Sequence, residues 1–237
     1  MKRLLIMDTC TKTLGVALTE GHVVLAEQTI EAVQNHSKFL MPTIEAVIHT
    51  AKLTPSQLEG IVVAKGPGSY TGVRIGVTVA KTLAWTLKLP LYAISSLKGM
   101  ALSEQNLRPF SGWLIPIIDA RRNTVFPGAY RKKADGSWES KGDRHISFET
   151  WLRLLKEMNE PIRFIGGDVP LFQTQIEAVF GALSELPVFS LHVSSYVEAS
   201  TIDYLVDVVH DFVPEYLRLA EAEQKWMAKM KGGHVDV

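Results

Sequence analysis

A chain of 237 residues carrying 25 basic and 25 acidic side chains has no formal net charge. That balance excludes a protein that grips nucleic acid over its whole surface, because counterion release needs concentrated basic charge, although it leaves room for a local patch. The only cysteine, Cys10, excludes an internal disulfide and argues against a cysteine-based metal site. The apolar run at 4–7 breaks at Asp8, short of the ~7–15 residues of a signal peptide, and no stretch approaches the ~20 of a membrane span. The sequence therefore predicts a cytoplasmic protein with no membrane association.

Residues 4–7 read as a short buried strand, and 14–19 and 23–27 as two more, joined through the glycine hairpin Glu20-Gly21-His22. Leu40, Ile44, Val47, Ile48 and Ala51 then keep helical spacing, with Ser37 as N-cap. Strands are expected at 61–64 and 91–94. Between them a helix leaves a glycine-rich turn and presents Val73, Val77, Ala80, Leu83, Ala84 and Leu87 on one face. The order is β-β-β-α-β-α-β.

The second half repeats that order. Strands are expected at 114–118, 124–130 and, past the Asp135-Gly136 turn, near 137–139. A helix over 148–158 points Phe148, Leu152, Leu155 and Met158 inward. A strand at 161–165 ends in Gly166-Gly167-Asp168, followed by a helix over 171–180, a short strand at 188–189, and a helix over 202–212 with Leu205, Val206 and Val209 inward. The polar stretch 103–111, with Pro109, marks the join. The pattern predicts an α/β protein with a duplicated ribonuclease-H-like (actin-like, ASKHA) fold. Its domains span 1–102 and 103–237, and the tail after about residue 213 either packs back on the first domain or is disordered. Two unrelated α/β domains are the alternative.

Three segments carry candidate chemistry. Gly66-Pro67-Gly68-Ser69-Tyr70-Thr71-Gly72-Val73-Arg74-Ile75-Gly76 is not a Walker A loop, since no Gly-Lys-Ser/Thr follows, but amides at the first turn of its helix would attract an anion. Asp8-Thr9-Cys10-Thr11 is placed as actin-like folds place a carboxylate that approaches nucleotide phosphates through metal-bound water; the plainer reading is an Asx turn. Asp119-Ala120-Arg121-Arg122 would stand opposite Asp8 in a duplicated fold, with the arginines equally able to neutralise Asp119. With the Gly166-Gly167 pair, the candidate nucleotide cleft comprises Asp8, Thr9, Gly66, Gly68, Asp119, Gly166 and Gly167. Separately, Gly72, Gly76, Ala80 and Ala84 form a stripe of small residues that would let a second helix approach, or would pack on the domain's own sheet. None of the seven histidines forms an i,i+4 pair.

The glycine segment, the Asp119-Ala120-Arg121 turn and the tail Pro214-Glu215-Tyr216-Leu217-Arg218 together resemble the TsaB (YeaZ) family, over nearly the whole chain. The resemblance implies a non-catalytic role in attaching a threonylcarbamoyl group to adenosine 37 of tRNAs that read ANN codons. The catalytic paralogue of that system, TsaD, carries Asn-His-x-x-Gly-His where this chain has Ser95-Ser96-Leu97-Lys98-Gly99-Met100. The two metal-binding histidines fall on Ser96 and Met100, neither a normal ligand for a divalent cation. The resemblance thus implies no catalytic residue, no metal and no cofactor beyond weak, vestigial nucleotide binding. It further implies a heterodimer with a TsaD-type paralogue, a TsaE-type ATPase as further partner, a homodimer when alone, and tRNA met through the complex. The expected partner interface is Leu40, Ile44, Val47, Gly72, Gly76, Ala80, Ala84 and Leu87. A nucleotide-dependent phosphotransferase using Asp8 and Asp119 is the alternative; a metallopeptidase lacks ligands.

Overall fold

Residues 2–32, 35–181, 184–200 and 204–218 are described by the computed structural model. The apolar runs of the first half become β1 (Arg3–Asp8), β2 (Thr13–Glu20), β3 (Val23–Glu31), β4 (Gly60–Ala64) and β5 (Leu91–Ile94), ordered β3-β2-β1-β4-β5. β1, β2 and β3 form an antiparallel meander, while β4 and β5 run parallel to β1. Every residue of β4 and β5 is buried, as expected of parallel strands covered on both faces. Helices α1 (His36–Thr50) and α2 (Tyr70–Leu87) cover one face. The 3-10 segment Val193–Ala199, which comes from the far end of the chain, packs on the other.

The second sheet repeats the plan. Its path is β10 (Ile146–Ser147), β7 (Thr124–Pro127), β6 (Trp113–Asp119), β11 (Ile162–Ile165), β12 (Ser184–Glu185), with β11 parallel to β6 and β7 antiparallel. A hairpin of β8 (Tyr130–Lys132) and β9 (Trp138–Ser140) joins it through β6, and α4 (Phe148–Met158) and α5 (Gln173–Phe180) follow. In both halves a central strand has antiparallel neighbours on one side and parallel strands on the other. This is a duplicated ribonuclease-H-like arrangement.

Several expectations are corrected. Helix α3 (Ser96–Leu107) extends into the join read at 103–111, so a boundary at 102/103 falls inside a helix. It is buried from Ser96 to Glu104 and packs on β6 and on residues 193–199, and a helix covered on all sides shows no amphipathic periodicity. Glu104 stays buried because Arg108 (2.8 Å) and Arg163 (3.2 Å) pair with it. The strand read at 124–130 is two, β7 and β8, broken where Gly128 N donates to Pro116 O. No strand forms at 188–189; the edge strand is β12. Helix α1 begins one residue before Ser37, with Asn35 at its cap.

The expected helix over 202–212 is absent among its described residues. Residues 204–218 instead form a strap across the first half. Leu205 bridges Tyr92, and Val206 N donates to Leu91 O (2.8 Å). Lys81 Nζ donates to the carbonyls of His210 (2.8 Å) and Phe212 (2.5 Å). Glu215 N reaches Lys65 O (2.8 Å), the Tyr216 ring stacks on Tyr70 at 5.0 Å, and Arg218 donates to Ala120 O (2.7 Å). The tail from 219 onward lies outside the described residues. Among those that are described, no helix is long and apolar enough to cross a membrane.

Candidate functional site

Asp8, the last residue of β1, and Thr9, the next, point to opposite faces, continuing the period of the strand. Asp8 turns toward the 193–199 segment and is buried: Oδ1 accepts Cys10 N (2.7 Å), closing an Asx turn, and Oδ2 accepts the Tyr196 hydroxyl (2.7 Å). Burial, the largest influence, raises the Asp8 carboxyl above the usual range and pushes the Tyr196 phenol well above its own. Thr9 turns toward α2, where its Oγ1 donates to Gly72 O (2.7 Å). Thr9 and Cys10 explain the glycines. A methyl group at Gly72 would overlap Thr9 O, one at Gly76 would overlap Thr9 Oγ1, and one at Gly68 would overlap Cys10 O.

Several donors that could have met a phosphate are engaged within the chain. Ser69 N donates to Cys10 O (2.7 Å), Gly72 N to Ser69 Oγ (3.3 Å), and the Ser96 hydroxyl to Pro67 O. The chain's own Asp8–Cys10 turn fills the space before the helix, so the residues present do not fit nucleotide phosphates. Gly66, at φ +105, faces the Glu215 carbonyl of the strap. The reading of Asp8 and Asp119 as two carboxylates lining one open cleft is therefore corrected: Asp8 is sealed.

Asp119 sits half-buried at the end of β6. Its Oδ1 accepts Arg121 N (2.9 Å) and its own N–H donates to Asp168 Oδ2 (3.0 Å), while Asp168 pairs with Lys12 (3.1 Å). It is the backbone of Arg121, not its guanidinium, that engages Asp119. Arg121, Arg122 and Asn123 all hold left-handed backbones, at φ 65, 53 and 56, a conformation that costs a side-chain-bearing residue ~1–2 kcal/mol. Gly166, at φ +128, is needed for its turn, where a methyl would crowd Ile117 O and Met100 Cε; nothing approaches Gly167. Met100 is buried in the hydrophobic core. Among the described residues, no three His, Cys, Asp or Glu side chains converge where they could hold a metal ion.

The expected partner interface also needs correction. Leu40, Ile44, Val47, Gly72, Gly76, Ala80 and Ala84 are buried in the first half's own core, and only Leu87 is partly open. The small-residue stripe admits β1 and its turn, not a foreign helix. What faces outward is the neighbouring surface: Trp85 is 71% exposed, Met41 48%, Tyr70 45% and Phe39 42%. Ser37, Leu40, Met41, Tyr70, Thr71, Arg74, Ile75, Thr78 and Val79 line a groove of about 470 Å³ between α1 and α2, so Leu40, though buried, is the one expected interface residue that reaches its wall. On α2 the small residues face inward, Ile75 and Val79 are partly buried against the core, and Trp85 is left outside it.

One cluster was not anticipated. The N-cap Ser95 and Tyr130 both donate to the Asp143 carboxylate, tying α3 to the second sheet. Beside them Lys98 is buried, its Nζ 3.3 Å from the Trp138 ring centroid and without a hydrogen-bond partner. Burial pushes its amine down to about 7. Sequence spacing cannot show this, since the aromatic face arrives from a hairpin forty residues away.

Over residues 24–226 the chain matches the family model described as TsaD, tRNA N6-adenosine threonylcarbamoyltransferase. It is 41% identical over 230 residues to the tRNA threonylcarbamoyladenosine biosynthesis protein TsaB of Bacillus subtilis (strain 168), covering 96% of this chain and 99% of that one. The TsaB protein of Escherichia coli (strain K12) is 29% identical over 136 residues, 57% of this chain and 58% of that one. Among solved structures, YeaZ from Pseudomonas aeruginosa superposes with a TM-score of 0.74 at 21% identity, covering 92% of this chain and all of that one. An uncharacterized Pseudomonas aeruginosa protein described as similar to the peptidase YeaZ gives 0.78 at 22%, with the same coverage.

Proposed function

The chain belongs to the TsaB family of tRNA threonylcarbamoyladenosine biosynthesis proteins, and we propose that it serves there as a non-catalytic partner subunit, binding and activating a TsaD-type transferase. The observation that carries this reading is the outward face of α1 and α2, where Trp85, Tyr70, Met41 and Phe39 stay exposed around a groove. Clustered aromatic and methionine side chains on a helix pair are the composition of interface cores, and leaving them in water is unfavourable by ~25 cal/mol per Å². The sealed Asp8 turn and the absence of metal ligands at Ser96 and Met100 support a binding role over a chemical one. Alone, the same face is expected to pair two copies of the chain, and a TsaE-type ATPase joins the assembled complex. No cofactor is required.

Reconstitution tests it. Threonylcarbamoyladenosine formation on a tRNA transcript, with and without this chain and with all other components constant, should fall at least tenfold when the chain is omitted. The double variant Met41→Arg/Thr78→Arg, two exposed residues of the groove, should abolish co-elution with the transferase and reduce product equally while the monomer unfolds at an unchanged temperature. Retained co-elution would overturn the interface, and turnover by the isolated chain would overturn the non-catalytic role.

A further inference from the structure

Twelve large apolar side chains stand exposed among the described residues, and seven of them lie on α1, α2 and the strap. Four are the α1 and α2 residues already given. The others are Val208 (54% exposed), Val213 (68%) and Tyr216, all on the strap. Single exposed apolar residues are ordinary, but their concentration on one face marks a surface made to be covered.

The strap runs beside α2 in the opposite direction. Tyr70, Lys81 and Trp85 fall on one side of that helix, and each meets the strap. The Tyr216 ring stacks on Tyr70, Lys81 holds the carbonyls of Phe212 and His210, and the Trp85 ring lies 6.5 Å from that of His210. Tyr70 is also part of the groove wall. Groove and strap therefore share an edge, and the apolar surface continues from one onto the other.

Size decides whether the two serve one partner. A stable interface takes about 20–30 residues a side, whereas nine line the groove. The exposed apolar residues that adjoin those nine across α2 are Trp85 and the valines of the strap. We propose that the transferase-type partner seated in the groove also covers the strap, with Trp85 near the centre of the interface and Val208 and Val213 on its far side. The inference rests on the partner reading of the groove and deepens it, because a segment distant in sequence becomes part of the docking surface. A central tryptophan flanked by apolar neighbours is the composition of an interface hot spot. Lys81, by holding two strap carbonyls, fixes the strap beside Trp85.

The test measures the affinity of full-length variants for the transferase by calorimetry, with the unfolding temperature and self-association of each variant followed alone. Val208→Arg/Val213→Arg should weaken binding about tenfold or more at an unchanged unfolding temperature. Val208→Ser/Val213→Ser, which adds neither bulk nor charge, should weaken it about threefold or more. Val23→Arg/Val24→Arg, an exposed pair on β3 at the opposite edge of the sheet, should leave it unchanged. Parental affinity in both strap variants, with binding lost in Met41→Arg/Thr78→Arg, would overturn the inference and leave the groove reading standing. Parental affinity in the groove variant would remove the partner reading, and this inference with it. A strap variant that altered only self-association would assign the strap to a second copy of the chain and overturn the inference, as would an equal loss from the β3 pair.

Discussion

The turns after β1 and after β6 occupy corresponding places in two halves with the same strand plan, and each begins with an aspartate. After β1 the turn is driven into the protein: Asp8 holds Tyr196 from the far end of the chain, and Thr9 and Cys10 press on glycines at the start of α2. After β6 the turn stands in solvent, strained and arginine-bearing. Duplication preserved the frame while the two turns took opposite burial, and with it opposite rules for which residues they tolerate. In the first, space decides; in the second, backbone conformation and charge decide.

The largest effect should come from breaking the buried turn at its tightest contact. Gly72→Val forces a branched side chain against Thr9 O and should destabilise the protein by about 3 kcal/mol or more in urea unfolding. If it unfolds like the parent, the seam is looser than drawn. Next, Asp8→Ala leaves the Tyr196 hydroxyl and Cys10 N–H without partners and should cost about 2–4 kcal/mol, whereas Asp119→Ala in the open turn should cost below about 1 kcal/mol. Equal costs would erase the contrast.

Lys98, between the halves, should give a smaller and pH-dependent effect. Its amine titrates near 7 when folded and at 10.5 in the free chain, so burying the ammonium is penalised most fully below pH 7. The penalty fades as pH rises from 7 toward 10.5, because only the unfolded chain still holds that proton. Lys98→Met should therefore stabilise the protein by about 1–3 kcal/mol at pH 6 and progressively less above pH 8, a difference read from paired unfolding curves. A pH-independent difference would place the proton elsewhere. The smallest effect sharpens the comparison from the other side. Arg121→Gly relieves a left-handed backbone and, net of the added chain entropy, should stabilise by about 0.5–1 kcal/mol, where glycine replacement in an ordinary helix is costly.

Much of the frame was legible because apolar runs of strand length, spaced by turn residues, mark the middles of both sheets. The direction of the α2 stripe was not. Small residues every fourth position say that something comes close, and here it is Thr9 and Cys10 of the same chain. Helix α3 escaped because burial on all sides erases the periodicity that identifies a helix, and its buried Glu104 is paired by Arg108, one turn on, and by Arg163, distant in sequence. Asp119 was recognised as a candidate, but its loop was not, since nothing in Arg121-Arg122-Asn123 announces a left-handed backbone, which Asp119 and Thr124 hold from either side and Phe148 N–H holds from α4. The exposed apolar face of α1 and α2 was legible in location and misassigned in detail, the buried neighbours standing in for the outward ones.

The strap has a consequence for how this molecule meets others. A terminal strand such as β5 presents a row of unpaired amides and carbonyls that any extended chain could zip onto, the usual seed of runaway stacking. Leu205 and Val206 occupy that position at Tyr92 and Leu91. With the β5 side fenced by its own polypeptide, the first half is steered away from growing by strand addition there and toward association through its helices, where geometry limits the number of neighbours.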